Sequence, residues 1–251
     1  MDIILVGTGN VFSRRLSPCL LVDERIVLEL PNGAVKALKA YAPVEEITVC
    51  LISHFHGDHC ADLPFFLLEK MRQGSYVTLV VPQGGAEQVR RICHAAYDTL
   101  DWDTILGKTV KDLVELTDRA YRYGSYEIVG IPVSHGDAVC TGYLIHADGH
   151  TFGYTGDCSA CAGAEDIIRR ADVCCADMNG LAPTSGHMSV EDLAPLAARY
   201  PGTIYAVHTE DGAPIGTTWR GIRFPADGER IVLKLETGDM ESRSEREEEG
   251  T

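Results

Sequence analysis

Residues 53–59 restrict the fold of this chain more than any other segment. They read Ser-His-Phe-His-Gly-Asp-His and directly follow an apolar run at residues 47–52. A solvated histidine-rich loop is the alternative, but several ligand-type side chains at the end of a buried strand need polar partners. Imidazoles and a carboxylate in this pattern predict a transition-metal site.

The spacing within this segment sets which side chains can meet. At an extended strand end, His54 and His56 project to the same side. Gly57 is expected to adopt glycine-type dihedrals that turn Asp58 and His59 toward them. The segment therefore has room for two metal ions side by side.

Three further ligand-type residues each end an apolar run downstream. One histidine at a strand end is usually structural, but three such ends together with the cluster favour one shared site. They are His135 after residues 128–134, Asp157 after residues 152–156 and His208 after residues 204–207.

The composition is that of an ordinary globular α/β protein, with 45% apolar and 24% charged residues. The net charge of −15 weighs against nucleic acid as a partner, because phosphate contacts depend mainly on Lys and Arg. Residues 239–251 hold six acids and two bases and are expected to form a disordered acidic tail. A single domain is predicted over residues 1–238.

Cysteine usage and the absence of apolar spans predict a cytoplasmic protein without a membrane segment. No apolar run approaches the roughly 20 residues that cross a bilayer, and the first residues lack a secretory pattern. Nine irregularly spaced cysteines fit reduced thiols. The Cys158-Ser-Ala-Cys161 spacing leaves redox activity or a third metal open, although packing of small residues is favoured.

Hydrophobic periodicity predicts strands followed by helices, twice over. This order favours two sheets packed face to face with helices outside, a four-layer αββα sandwich. Residues 101–124 are the least regular and are expected to form a loop or helical insert over the site. Strands are predicted at residues 3–6, 20–22, 25–30, 47–52, 77–81, 126–133, 141–146, 151–154, 173–176 and 203–207, with helices at 34–41, 62–73, 85–100, 164–171 and 190–200.

The ligand-type residues occur in the order His-x-His-x-Asp-His, then His, then Gly-Asp, then His. This order resembles that of the metallo-β-lactamase superfamily, and the resemblance covers nearly all of the chain up to about residue 210. The ribonuclease Z-like phosphodiesterase branch is the most similar. Its motifs are matched by Leu-Val-Gly-Thr-Gly at residues 5–9, the 53–59 segment running into Asp-Leu-Pro at 62–64, Gly-Tyr-Leu-Ile at 142–145 and Tyr-Thr-Gly-Asp at 154–157.

The resemblance implies a dinuclear centre with a bridging hydroxide. Zn²⁺ is the expected ion, with Mn²⁺ or Fe as alternatives. The implied ligands are His54, His56 and His135 for one ion, Asp58, His59 and His208 for the other, and Asp157 between them.

The same resemblance implies a proton donor for the leaving group. His187 lies in a turn before a predicted helix, and Asp177 is the matching upstream carboxylate. These two residues and Asp58 are the predicted catalytic residues. A loop histidine without a catalytic role is the alternative for His187.

Two departures from the branch bear on function. Its usual Asp after the third strand is replaced here by Glu29, and no basic arm for gripping tRNA interrupts residues 81–135. We therefore expect hydrolysis of a small phosphodiester, such as a cyclic nucleotide. The alternatives are ribonuclease Z-like RNA processing, hydrolysis of a carboxylic ester, thioester or lactam, and a non-catalytic metal carrier; a homodimer is compatible with the resemblance.

Overall fold

The computed structural model describes residues 1–117, 119–182 and 184–234. The predicted tail at residues 239–251 therefore lies outside the described residues. The strands are β1 (Asp2–Gly7), β2 (Cys19–Val22), β3 (Ile26–Leu28), β4 (Val49–Leu51), β5 (Val77–Val81), β6 (Val110–Glu115), β7 (Ala120–Tyr123), β8 (Tyr126–His135), β9 (Ala138–Ala147), β10 (His150–Tyr154), β11 (Val173–Asp177), β12 (Thr203–Val207), β13 (Thr217–Trp219), β14 (Ile222–Phe224) and β15 (Glu229–Val232).

These strands form two mixed sheets that share one buried core. The first sheet has the order β15-β1-β2-β3-β4-β5-β6, and the second has the order β13-β14-β12-β11-β10-β9-β8-β7. Side chains alternate along each strand, so that Ile3 and Leu5 pack toward the second sheet while Ile4 and Val6 face the helices. This alternation makes one apolar layer between the sheets and another outside each sheet.

Helices cover both outer faces. Helices α1, α3, α4 and α5 pack on the first sheet, and α6 and α7 pack on the second. The four layers confirm the predicted αββα sandwich. The helices are α1 (Ala34–Leu38), α2 (Gly57–Cys60), α3 (Leu63–Gln73), α4 (Gly85–Ala96), α5 (Trp102–Thr109), α6 (Ala162–Arg170) and α7 (Val190–Arg199), with a 3-10 turn at Val44–Glu46.

The prediction of an insert over the site at residues 101–124 was wrong. After α5, this segment supplies β6 and β7, which are edge strands of the first and second sheets. Most of β6 is exposed, with Lys111, Asp112 and Glu115 among its residues. Charged side chains of this kind are typical of an edge strand and hide the apolar alternation that identifies a buried one.

The described helices include none that is both long and apolar enough to cross a membrane.

Candidate metal centre

All seven predicted metal ligands meet at one end of the sandwich. They arrive from the loop and short helix after β4, and from the ends of β8, β10 and β12. The side chains form two neighbouring groups. We call His54, His56 and His135 the imidazole group, and Asp58, His59, Asp157 and His208 the acidic group.

The three rings of the imidazole group turn nitrogen atoms toward a common point. His56 Nδ1 lies 3.0 Å from His54 Nε2 and 3.2 Å from His135 Nε2. Nitrogen ligands about 2.0–2.1 Å from a tetrahedral zinc ion lie about 3.3 Å from one another. The separations are therefore those of a ligand set that is ready to receive an ion.

Hydrogen bonds behind the rings fix two of these orientations. His54 Nδ1 lies 2.9 Å from Ser53 Oγ, and His135 Nδ1 donates to the carbonyl oxygen of Gly186 at 2.9 Å. Such partners leave Nε2 of each ring free to face an ion. Burial, with a smaller contribution from neighbouring His59, lowers the pKa of His54 to about 2, so this ring stays neutral.

The acidic group is arranged around one carboxylate oxygen. Asp157 Oδ2 lies 3.2 Å from His59 Nε2 and 3.3 Å from His208 Nε2. His208 Nε2 is also 3.3 Å from Asp58 Oδ2. The same Asp157 oxygen is 4.0 Å from Nε2 of both His54 and His135, so it stands between the two groups.

The residues fit a pair of divalent cations. The buried Asp157 Oδ1 has no hydrogen-bond partner, which is costly unless another ligand satisfies it. Burial opposes protonation of His208, but Asp157 and the other nearby carboxylates raise its pKa to about 9. The carboxylates therefore favour positive charge at this point, and a divalent cation would supply it.

Backbone conformation at the centre differs from the prediction for Gly57. This residue begins α2 without a positive φ, and the helix itself turns Asp58 and His59 into the site. The left-handed conformation is found instead at Gly156, with φ 61°, and at His208, with φ 60°. Such conformations are unfavourable for most residues and persist where the surrounding structure enforces them.

Glu29 occupies the predicted position behind a ligand histidine. Its Oε1 lies 3.6 Å from His59 Nδ1, and both side chains are fully buried. The backbone N–H of Ser53 donates to the two carboxylate oxygens at 3.1 and 3.2 Å. Glu29 has a φ of 65°, so the chain leaves β3 in a left-handed turn that accommodates the longer acid.

The predicted proton-transfer pair also forms. His187 Nδ1 lies 3.0 Å from Asp177 Oδ2, and the His187 ring stacks on His208 with centroids 5.0 Å apart. Burial opposes protonation, but the hydrogen bond to Asp177 and the charges of Asp177 and Asp157 raise the pKa of His187 above its usual value. His187 is therefore protonated more readily than an isolated histidine.

One feature of the site was missed by sequence reasoning. A cavity of about 830 Å³ is lined by residues 10, 11 and 13–17 of the loop after β1 and reaches Gly57 and Asp58. Arg14 and Arg15 lie on its wall, and Phe12 of the same loop is 90% exposed. The sequence carries no distinguishing signal for this cavity, because Arg90-Arg91 and Arg169-Arg170 are adjacent arginine pairs as well.

A family profile described as "Beta-lactamase superfamily domain" matches residues 30–209. The chain belongs to this superfamily. A curated relative, the ribonuclease Z of Salinibacter ruber (strain DSM 13855 / M31), is 31% identical over 104 residues. That match covers 37% of this chain and 31% of the relative, so the chain spans only about a third of the length of this relative.

Solved structures of the superfamily share the fold over nearly the whole chain. The metallo-beta-lactamase fold protein YhfI of Bacillus subtilis superposes with a TM-score of 0.76 at 17% identity, covering 92% of this chain and 98% of that one. The short form of human tRNase Z gives 0.74 at 15% identity, covering 94% and 100%. A diphosphatase of the PhnP family gives 0.73 at 16% identity, covering 93% and 98%.

Proposed function

We propose that this beta-lactamase superfamily member is a dinuclear metal-dependent phosphodiesterase acting on a small phosphodiester, such as a cyclic nucleotide. The observation that carries the proposal is the pairing of the imidazole and acidic groups around Asp157 Oδ2. Membership of a superfamily that includes metal-dependent hydrolases supports it. Zn²⁺ is the proposed ion because the donors are imidazole nitrogens and carboxylate oxygens.

The proposed roles follow from the contacts. His54, His56 and His135 would hold one ion, Asp58, His59 and His208 the other, and Asp157 would contact both. Bound as a pair, such ions lower the pKa of an attacking water and neutralise charge on phosphoryl oxygens. Asp58 belongs to the acidic group and also lines the cavity. It would therefore lie beside both the ions and the substrate.

His187 is the proposed general acid for the leaving alkoxide. Its Nδ1 is held by Asp177, so the Nε2–H is free to donate. Asp177 is the proposed positioning residue, because its carboxylate orients the ring and stabilises the imidazolium.

The cavity supports a small anionic substrate. Its volume of about 830 Å³ falls within the range of small-molecule sites, and Arg14 and Arg15 bring positive charge to its wall. Arg14 is almost wholly exposed, and its Nε is 3.8 Å from Asp211 Oδ2. A diester with an exposed phosphate matches this wall better than a neutral ester does.

Ribonuclease Z-like RNA processing is the second candidate. The local match to a ribonuclease Z favours it. The net charge of −15 opposes it, because RNA affinity depends on neutralising phosphates.

Further proposals concern the cellular compartment, the domain organisation and the oligomeric state. The free cysteines support a reducing compartment, which we propose to be the cytoplasm. We also propose that residues 1–238 form one domain and that the protein forms a homodimer, which is compatible with the resemblance.

The proposal is tested by elemental analysis and turnover of bis-p-nitrophenyl phosphate on one preparation. We expect about two equivalents of metal and chelator-sensitive turnover. Asp157→Asn should lose both ions and reduce turnover on the order of 10³-fold, or about 4 kcal/mol. Asp98→Asn, at an exposed position, is the matched control and should keep both.

Parallel assays separate the alternatives. Turnover of p-nitrophenyl acetate but not the phosphodiester would replace the proposal with a carbonyl hydrolase. Efficient cleavage of a 3′-extended tRNA, with negligible turnover of cyclic nucleotides, would favour RNA processing. Two bound ions without turnover of any of these substrates would indicate a metal carrier.

A further inference from the structure

Two cysteines next to the proposed metal centre differ in their access to solvent. Of the nine cysteines, eight are buried and Cys161 is partly exposed. Cys161 lies at the N-terminus of α6 and lines a separate cavity of about 430 Å³. Cys158, three residues earlier, is completely buried. A small oxidant in solvent therefore reaches Cys161 before any other thiol.

The two thiols are direct neighbours. Cys158 and Cys161 are hydrogen-bonded through their side chains. The hydrogen bond from Cys158 is the largest effect and, against the opposing effect of burial, lowers the pKa of Cys161 to about 5. The thiolate is the nucleophilic form of cysteine, so Cys161 is prepared for attack at neutral pH.

Cys158 connects this pair to the metal centre. It directly follows Asp157, whose carboxylate lies between the two ligand groups. Its backbone N–H donates to Asp177 Oδ2 at 2.9 Å, and the same oxygen lies 3.0 Å from His187 Nδ1. A movement of the Cys158 backbone therefore reaches both the shared ligand and the proton-transfer pair.

We propose that Cys158 and Cys161 form a reversible dithiol switch that a peroxide oxidises to a disulfide, weakening metal binding at the adjacent centre. The Cys161 thiolate attacks one peroxide oxygen, and the O–O bond breaks. Hydroxide is the leaving group, and Cys161 becomes a sulfenic acid. The Cys158 sulfur then attacks the Cys161 sulfur, the S–O bond breaks, and water leaves. Overall, two thiols and one hydrogen peroxide give one disulfide and two waters.

Formation of the bond draws the two sulfurs together. A disulfide requires about 2.05 Å between the sulfurs, well below a hydrogen-bonded separation. The Cys161 end is held by α6, so the displacement falls on the Cys158 side, where Asp157 and the bond to Asp177 lie. The proposal rests on the proposed metal centre for this effect, but the oxidation itself does not.

The first experiment measures the disulfide without any activity assay. The zinc-loaded full chain is treated with hydrogen peroxide, remaining thiols are alkylated, and the protein is cleaved before aspartates. Peptide 157–165 contains Cys158 and Cys161 as its two cysteines. We expect it to lose about 2 Da and to resist alkylation, while peptides with buried cysteines stay reduced. A reduced 157–165 peptide after treatment would overturn the proposal.

The second experiment measures coupling to the metal. Zinc transfer to a chromogenic chelator should become at least about tenfold faster after oxidation and return to its initial rate with dithiothreitol. Cys161→Ser should show the initial rate before and after peroxide. A disulfide without faster zinc transfer, or equal acceleration in Cys161→Ser, would overturn the switch even if phosphodiesterase turnover were absent.

Discussion

The imidazole group and the acidic group occupy the same end of the sandwich, yet they would attract an ion by different means. In the imidazole group, burial keeps His54 neutral, with a pKa of about 2, so its nitrogen lone pair is available. In the acidic group, carboxylates dominate and raise the pKa of His208 to about 9. One group offers neutral donors, and the other offers negative charge.

The difference indicates which role the imidazole group and the acidic group each have in the proposed reaction. Neutral nitrogen donors fix geometry, whereas surplus negative charge favours a cation and raises the pKa of His187. Asp157 belongs to both environments because its Oδ2 approaches histidines of both groups and also His187. Three predictions test this division, beginning with the largest expected effect.

Removing one ligand from each group should separate the two positions. We expect His56→Ala and His208→Ala each to retain about one equivalent of metal and to lose turnover on the order of 10³-fold, or about 4 kcal/mol. Elemental analysis and turnover of bis-p-nitrophenyl phosphate measure this. His94→Ala, at an exposed position on α4, is the control. Loss of both ions from either variant would show that the groups act as one site.

The second prediction concerns proton transfer on the acidic side. His187→Ala should keep its metal but slow hydrolysis of alkyl diesters by roughly 10²–10⁴-fold, with a smaller effect on p-nitrophenyl esters. Because the pKa of His187 is raised, the acid remains protonated above its usual range, and turnover should fall as pH rises through that pKa. The alkaline limb should vanish in His187→Ala and move to lower pH in Asp177→Asn. Equal losses for good and poor leaving groups would remove His187 as the acid.

The third prediction concerns the glycines beside the two groups. A Cβ on Gly156, which has a positive φ, would lie 2.8 Å from the Cβ of Ser53, whereas a Cβ on Gly57 meets nothing within 4 Å. We expect Gly156→Ala to lower the free energy of unfolding by about 1–3 kcal/mol. Gly57→Ala should change it by less than about 0.5 kcal/mol. Urea denaturation of both variants measures the difference, and equal effects would contradict it.

Much of the centre was predictable because its signals are local. His54, His56, Asp58 and His59 lie within six residues after a strand, so chain geometry alone brings them close. The other ligands were recognisable because each ends an apolar run. The edge strands at residues 110–123 were not recognisable, since β6 carries charges where a buried strand carries apolar side chains.

The sequence by itself determined the αββα sandwich, the chemistry of the ligands and the segments that deliver them, because periodicity and spacing are properties of the covalent chain. Only the tertiary structure decided the division into a neutral and an acidic group, the role of α2 instead of Gly57, and the cavity beside Asp58. Asp58 and His208 are 150 residues apart, yet their side chains are 3.3 Å apart. Whether residues so far apart in sequence meet, and how buried and charged their surroundings are, depends on packing across both sheets. Local sequence does not encode that packing.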